Sequence, residues 1–173
     1  MQPRSDEALI APGVILRLPS VPDPGRRIDA AQMVMASFES TNLVFEMRLS
    51  AGPGTFSAAA VDALGRRAVT IDWSQSGVRS TLAPWLADRL SVNNMLIDMV
   101  LIYWPEDAVR AMLTSAGVRL VSGPDRRVIL HDSTELVQIQ YVPSVERAVS
   151  GTIKYVNAAL GYTITVRSRE VGG

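Results

Sequence analysis

From residue 30 onward, apolar and polar residues alternate with a period of two, the pattern of strands that bury one face. Leu43, Phe45, Met47 and Leu49 alternate with Val44, Glu46 and Arg48, and Val69, Ile71 and Trp73 alternate with Ala68, Thr70 and Asp72. Gly52-Pro53-Gly54, Leu64-Gly65 and Gln75-Ser76-Gly77 supply turn residues between these runs. The pattern predicts a meander of about five antiparallel strands over residues 31 to 82.

Between Asn93 and Leu113 the period lengthens: Leu96, Met99, Val100 and Tyr103 recur at helical spacing, with Asn93 or Asn94 as N-cap. Pro105 ends this helix or starts a second one reaching about Ser115, whose first turn carries Glu106 and Asp107 against the helix dipole. Gly117 lies just past its end. Alternation then returns, with Val137, Ile139 and Tyr141 inward against Leu136, Gln138 and Gln140. It continues through Ile153 and Tyr155, then Tyr162, Ile164 and Val166 against Thr163 and Thr165. Strands, a helical insert and more strands describe a mainly β, α+β domain: one curved antiparallel sheet with helices against its concave face.

The start of the chain reads differently. Pro3, Pro12, Pro19, Pro22 and Pro24 all fall in the first 24 residues, and proline resists helix interiors and sheet ladders alike. Residues 1–27 are therefore a Pro-rich tether or lead-in and residues 28–170 the domain, although Ala8-Leu9-Ile10 and Val14-Ile15-Leu16 are apolar enough to pack on it.

Composition narrows the chemistry. The 173 residues are 47% apolar and 20% charged, as in a folded globular domain. Seventeen basic and seventeen acidic side chains cancel, so no long-range field gathers nucleic acid. The absence of Cys removes thiolate nucleophiles and Cys-based metal sites, and a single His, His131, leaves little general-base chemistry. His131-Asp132 reads as a surface pair, because adjacent strand residues point to opposite faces. No Gly-rich phosphate loop, nucleophile elbow or metal-spaced carboxylate set occurs, so no catalytic residue, cofactor or metal is expected. Met95 to Trp104 is too short and too interrupted to span a bilayer, and the first residues lack the apolar core of a signal peptide.

Three stretches carry a family resemblance: the strand-turn-strand Phe56 to Trp73 with Leu64-Gly65-Arg66-Arg67 at its tip, the helix ending Asp98-Met99-Val100-Leu101-Ile102-Tyr103-Trp104-Pro105, and the closing Gly161-Tyr162-Thr163-Ile164-Thr165-Val166. Together they resemble uncharacterised bacterial outer-membrane lipoproteins related to LolB, often encoded beside aryl-polyene and fatty-acid-synthase-like genes. The resemblance implies a LolA/LolB-like fold, an unclosed antiparallel half-barrel capped by helices, whose apolar cavity takes up acyl chains. It also implies a lipidated Cys holding the domain at the periplasmic face of the outer membrane, a residue expected of a precursor since none is present here. A LolA-like periplasmic carrier would then be the donor. The tip Leu64 matches the protruding apolar loop residue of the LolB branch, and Arg66 and Arg67 add a basic collar suited to lipid phosphates.

Each of these features has an ordinary alternative. The inward residues Phe45, Met47, Ile71, Trp73, Met99, Tyr141 and Tyr155 either line an acyl or aryl-polyene cavity or fill a solid core, in which case the domain is an envelope scaffold. Leu64 either inserts into lipid or folds back on the core. Trp85 and Leu86 either touch a membrane or partner or plug one end of the barrel. Trp104-Pro105 is a hinge or a core anchor, and Asp98 caps a helix or pairs with an Arg. The pairs Arg26-Arg27, Arg66-Arg67 and Arg126-Arg127 read as solvated.

Overall fold

A computed structural model describes residues 4–172. Within the Pro-rich lead-in, β1 (Glu7–Ala11) and β2 (Val14–Arg17) form a two-stranded antiparallel hairpin. Ala8, Ile10 and Leu16 are fully buried, as their apolar pattern allows. Side-chain amides from elsewhere hold its backbone: Asn93 Nδ2 donates to the carbonyls of Ser5 and Glu7 at 2.8 and 3.1 Å, Asn94 Nδ2 to that of Leu9 at 3.1 Å, and Asn157 Nδ2 to that of Ile10 at 3.0 Å. Asn93 and Asn94 are thus used as clamps, and the helix N-cap falls to Ser91, whose hydroxyl accepts from the Asn94 amide.

The meander is β3 (Ile28–Phe38), β4 (Thr41–Gly52), β5 (Thr55–Asp62), β6 (Arg67–Ser74) and β7 (Gly77–Leu82), and the second set is β8 (Arg119–Ser122), β9 (Arg126–His131), β10 (Thr134–Val142), β11 (Thr152–Asn157) and β12 (Tyr162–Glu170). All ten join one antiparallel sheet in the order β7-β6-β5-β4-β3-β12-β11-β10-β9-β8. The last strand closes the centre by pairing with the first of the meander, Val166 opposite Val34 and Tyr162 opposite Phe38. The edges β7 and β8 do not pair with each other, so the protein is mainly β with a curved sheet left open. The alternation holds along β4, where Phe45, Met47 and Leu49 are buried between exposed Val44, Glu46 and Arg48. It fails at Leu136, which is buried beside Val137 because a register shift between Glu135 and Val137 turns both inward.

α1 (Val92–Tyr103) lies in the concavity, and every residue from Leu96 to Tyr103 is buried, as expected of a helix that is apolar all round. Pro105 caps α2 (Glu106–Thr114), which buries only Val109, Met112 and Leu113. Arg127, expected to be solvated, is instead buried: its guanidinium donates to the carbonyls of Leu101 and Trp104 at 2.7 and 2.8 Å. The last carbonyls of a helix lack partners and carry partial negative charge, which gives a cation a place inside the core.

Candidate binding cavity and its rim

One end of the concavity is solid. Trp73 and Trp104 stack with centroids 6.0 Å apart and planes 13° from parallel, and Phe56 leans on both at 5.9 and 6.3 Å. Trp104 is therefore a core anchor. The Tyr141 hydroxyl donates to the Ile102 carbonyl at 2.6 Å, and burial pushes its phenol up to about 12. Of the residues proposed to line a cavity, Ile71, Trp73 and Tyr141 belong to this packed region rather than to open space.

The other end is not filled. An inner cavity of about 70 Å³ lies between α1 and the sheet, lined by Phe45, Met47 and Met99 together with Val34, Ala60, Ile102 and others. A groove of about 350 Å³ opens beyond it, lined by Phe38, Ser91, Asn94, Leu160 and Tyr162 among others. Leu90, Met95, Asp98 and Ile164 line both, so these four side chains stand between the groove and the cavity. The inner space holds only a short apolar segment, but three of its walls are methionines, whose unbranched side chains repack readily. A larger concavity of about 700 Å³ lies among the outward residues Arg48, Glu46, Arg167 and Arg169; it is open and charged, and does not offer the dry enclosure an apolar chain needs.

Asp98 is the polar feature of this passage. It is buried on α1, where Oδ1 accepts from the Tyr155 hydroxyl at 2.5 Å and from Tyr162 at 3.0 Å, and Oδ2 accepts from Tyr162 at 2.9 Å. No arginine pairs with it among the described residues; two tyrosines take the place of the expected Arg or helix cap. Burial raises its carboxyl to about 7, against the opposing pull of the tyrosine hydrogen bonds. Tyr155 thus serves as a holder of Asp98 and not as cavity wall. Deeper in, Gln32 donates to Tyr103 Oη at 2.7 Å and Ser168 Oγ at 3.2 Å, while its buried Oε1 has no donor.

Strand register places the rim. Phe45 opposite Asp62, Phe38 opposite Thr41, and Asn157 opposite Tyr162 put the β5–β6 tip, the β3–β4 turn and the β11–β12 turn at one end of the sheet, the end where the groove opens. Leu64 stands out there at 81% exposure. Asp62 fixes the tip, its Oδ1 accepting from the amides of Leu64 and Arg66 at 3.0 and 2.8 Å and its Oδ2 from Arg66 Nε at 2.7 Å. The Arg66 guanidinium sits 4.8 Å from the ring centroid of Trp85, which brings the tip and the β7–α1 connection together. Trp85 and Leu160 are 38% and 39% exposed, so three large apolar side chains surround this end. Leu86, expected with Trp85 at an interface, is instead wholly buried, and Arg67 is exposed at the start of β6.

The profile of a family described as Protein of unknown function (DUF3261) matches residues 29–170. The chain belongs to the DUF3261 family. The match spans the ten-stranded sheet and both helices of this DUF3261 domain, from the start of β3 to the end of β12. Comparison with curated proteins returns no match. Among the described residues of the DUF3261 chain, no group of three or more His, Cys, Asp or Glu is placed to hold a metal ion, and no helix is long and apolar enough to cross a membrane. His131 and Asp132 are both exposed.

Leu90, Met95, Tyr162 and Gln32 were not singled out as site residues from sequence. Leu90 and Tyr162 look like ordinary turn and strand residues, and only the docking of α1 brings them to the passage. Asp98 carried a signal, as the one charged residue within the apolar run from Met95 to Trp104.

Proposed function

We propose that this protein is a non-enzymatic carrier or acceptor that takes up the acyl chains of a lipid or lipoprotein, or an aryl-polyene chain, at the periplasmic face of the bacterial outer membrane. A LolA-like periplasmic protein is the proposed donor. The observation that carries the reading is the apolar inner cavity sharing four lining residues with a groove at the end where Leu64, Trp85 and Leu160 are exposed. An apolar chain leaving a membrane or a donor meets exposed hydrophobic side chains first and a flexible, methionine-walled space next. Transfer is driven by the difference in apolar burial between donor, cavity and bilayer, at roughly 0.8 kcal/mol per buried methylene, with no covalent step.

The test is native mass spectrometry of the gently purified protein, followed by organic extraction. A co-purifying amphiphile near one per chain supports the carrier. An empty protein that also fails to bind a fluorescent fatty-chain probe removes it. The second reading is an envelope scaffold that uses its unpaired edges β7 and β8; the aromatic plug of Phe56, Trp73 and Trp104 favours it, because it makes half the concavity solid.

A further inference from the structure

Asp98 is the one formally charged residue lining the inner cavity, and it lies where the cavity meets the groove. A buried carboxylate with no cation costs several kcal/mol, and hydrogen bonds from Tyr155 and Tyr162 offset only part of that. A position whose sole purpose was packing would be served by an apolar residue. The same cavity is lined by Gln32, whose buried Oε1 is an acceptor with no partner. Asp98, whose two oxygens already accept from Tyr155 and Tyr162, lacks a positive charge, and Gln32 Oε1 lacks a donor; a protonated amine supplies both. The other charged residues of the groove, Arg89 and Glu39, are exposed and opposite in sign, so between them they select no head charge.

We infer that the cargo is an amphiphile whose polar end donates hydrogen bonds, an ammonium in preference to a hydroxyl, seated at Asp98 with its chain in the inner cavity, and that anionic heads are disfavoured at this point. The inference rests on the carrier reading and adds a ligand class to it. An ammonium restores the missing positive charge beside the carboxylate, a hydroxyl supplies one donor without charge, and a carboxylate places like charges together in a poorly hydrated site. Met95 and Leu90 then close over the first part of the chain, between head and cavity.

Three single-chain probes of equal length test this: dodecylamine, dodecanol and dodecanoate, each displacing a neutral fluorescent apolar probe at about pH 8.5, where the Asp98 carboxyl is mostly ionised. Dodecylamine is expected to displace at about tenfold lower concentration than dodecanoate, with dodecanol between them. Asp98→Asn should bring the three close together, whereas an Asp98 that only positions its tyrosines would weaken all three alike and leave their order unchanged. Tyr162→Phe removes one donor while keeping the carboxylate, so it should preserve the preference for the amine even if Asp98→Asn fails to fold. Equal displacement by all three in the parent protein, or dodecanoate binding best, overturns the inference while leaving the carrier standing. Failure of the parent to bind the apolar probe or any of the three ends both.

Discussion

The two ends of the concavity are built from the same sheet and the same helix, yet they differ in almost every physical respect. At the Trp104 end, three aromatic rings interlock and the buried guanidinium of Arg127 meets the carbonyls that end α1. At the Asp98 end, flexible methionines border unfilled space, a carboxylate is buried without a cation, and the adjoining turns expose Leu64, Trp85 and Leu160. The first end spends its side chains on density and pairs both terminal nitrogens of its buried guanidinium, although Arg127 Nε has no partner; dense packing of this kind is what a fold needs in order to be unique. The second departs from that at several neighbouring positions at once. Such departures are what a site that admits another molecule requires, and their grouping at one end of α1 is the reason to read that end as functional.

The contrast can be broken by mutation. The largest effect is expected for Trp104→Ala, which should lower unfolding free energy by about 3–5 kcal/mol in denaturant titrations, while Met99→Ala, beside space that already exists, should fall toward the low end of about 2–5 kcal/mol. Equal losses at the two positions would mean that both ends are equally packed. Next in size is a pH effect. The Asp98 carboxyl is raised to about 7 by burial, so the folded protein holds a proton that the unfolded chain has released. Stability from this group is therefore fully present below about pH 4 and is lost as pH rises through about 7, by a few kcal/mol in all. Asp98→Asn should flatten that decline in thermal melts across the same range; an unchanged slope would place its origin elsewhere.

Smaller effects concern the rim. Leu64→Glu should leave the melting temperature unchanged and weaken liposome association by roughly 1.5–3 kcal/mol, the value of one leucine moved from water into lipid. Equal sedimentation of parent and variant with vesicles would remove Leu64 from the membrane contact. Arg66→Ala removes the guanidinium bond to Asp62 while leaving the backbone bonds that fix the tip, and it uncovers the Trp85 ring; it should give the slightest change, a partial loss of vesicle binding with folding intact.

Much of the frame was legible because period-two alternation and glycine turns are local signals. β3 to β7 fall where the pattern of Phe45, Met47, Ile71 and Trp73 puts them, and Pro105 separates the helices as its missing N–H requires. What stayed hidden depends on distant partners. The β1–β2 hairpin is held by amides of Asn93, Asn94 and Asn157, up to 147 residues away along the chain, so no window around its prolines displays the reason for its order. Arg127 looks like the exposed Arg126 beside it until the end of α1 is docked above it. The candidate site divides in the same way. Phe45, Met47 and Met99 reach the cavity, but which inward residues face space and which face Trp104 is set by where α1 rests along the sheet. That position is a tertiary fact with no local signature.

In the proposed carrier the groove leads through Met95 into a space that takes an apolar chain. Titration of a fluorescent fatty-chain probe into the parent protein and into Met95→Trp tests it directly, since an indole at a half-buried position should block the passage without disturbing the Trp104 end. The parent should bind saturably at about one probe per chain, and the variant should lose that binding with an unchanged melting temperature. Absence of binding by the parent, or equal binding by both proteins, would contradict it.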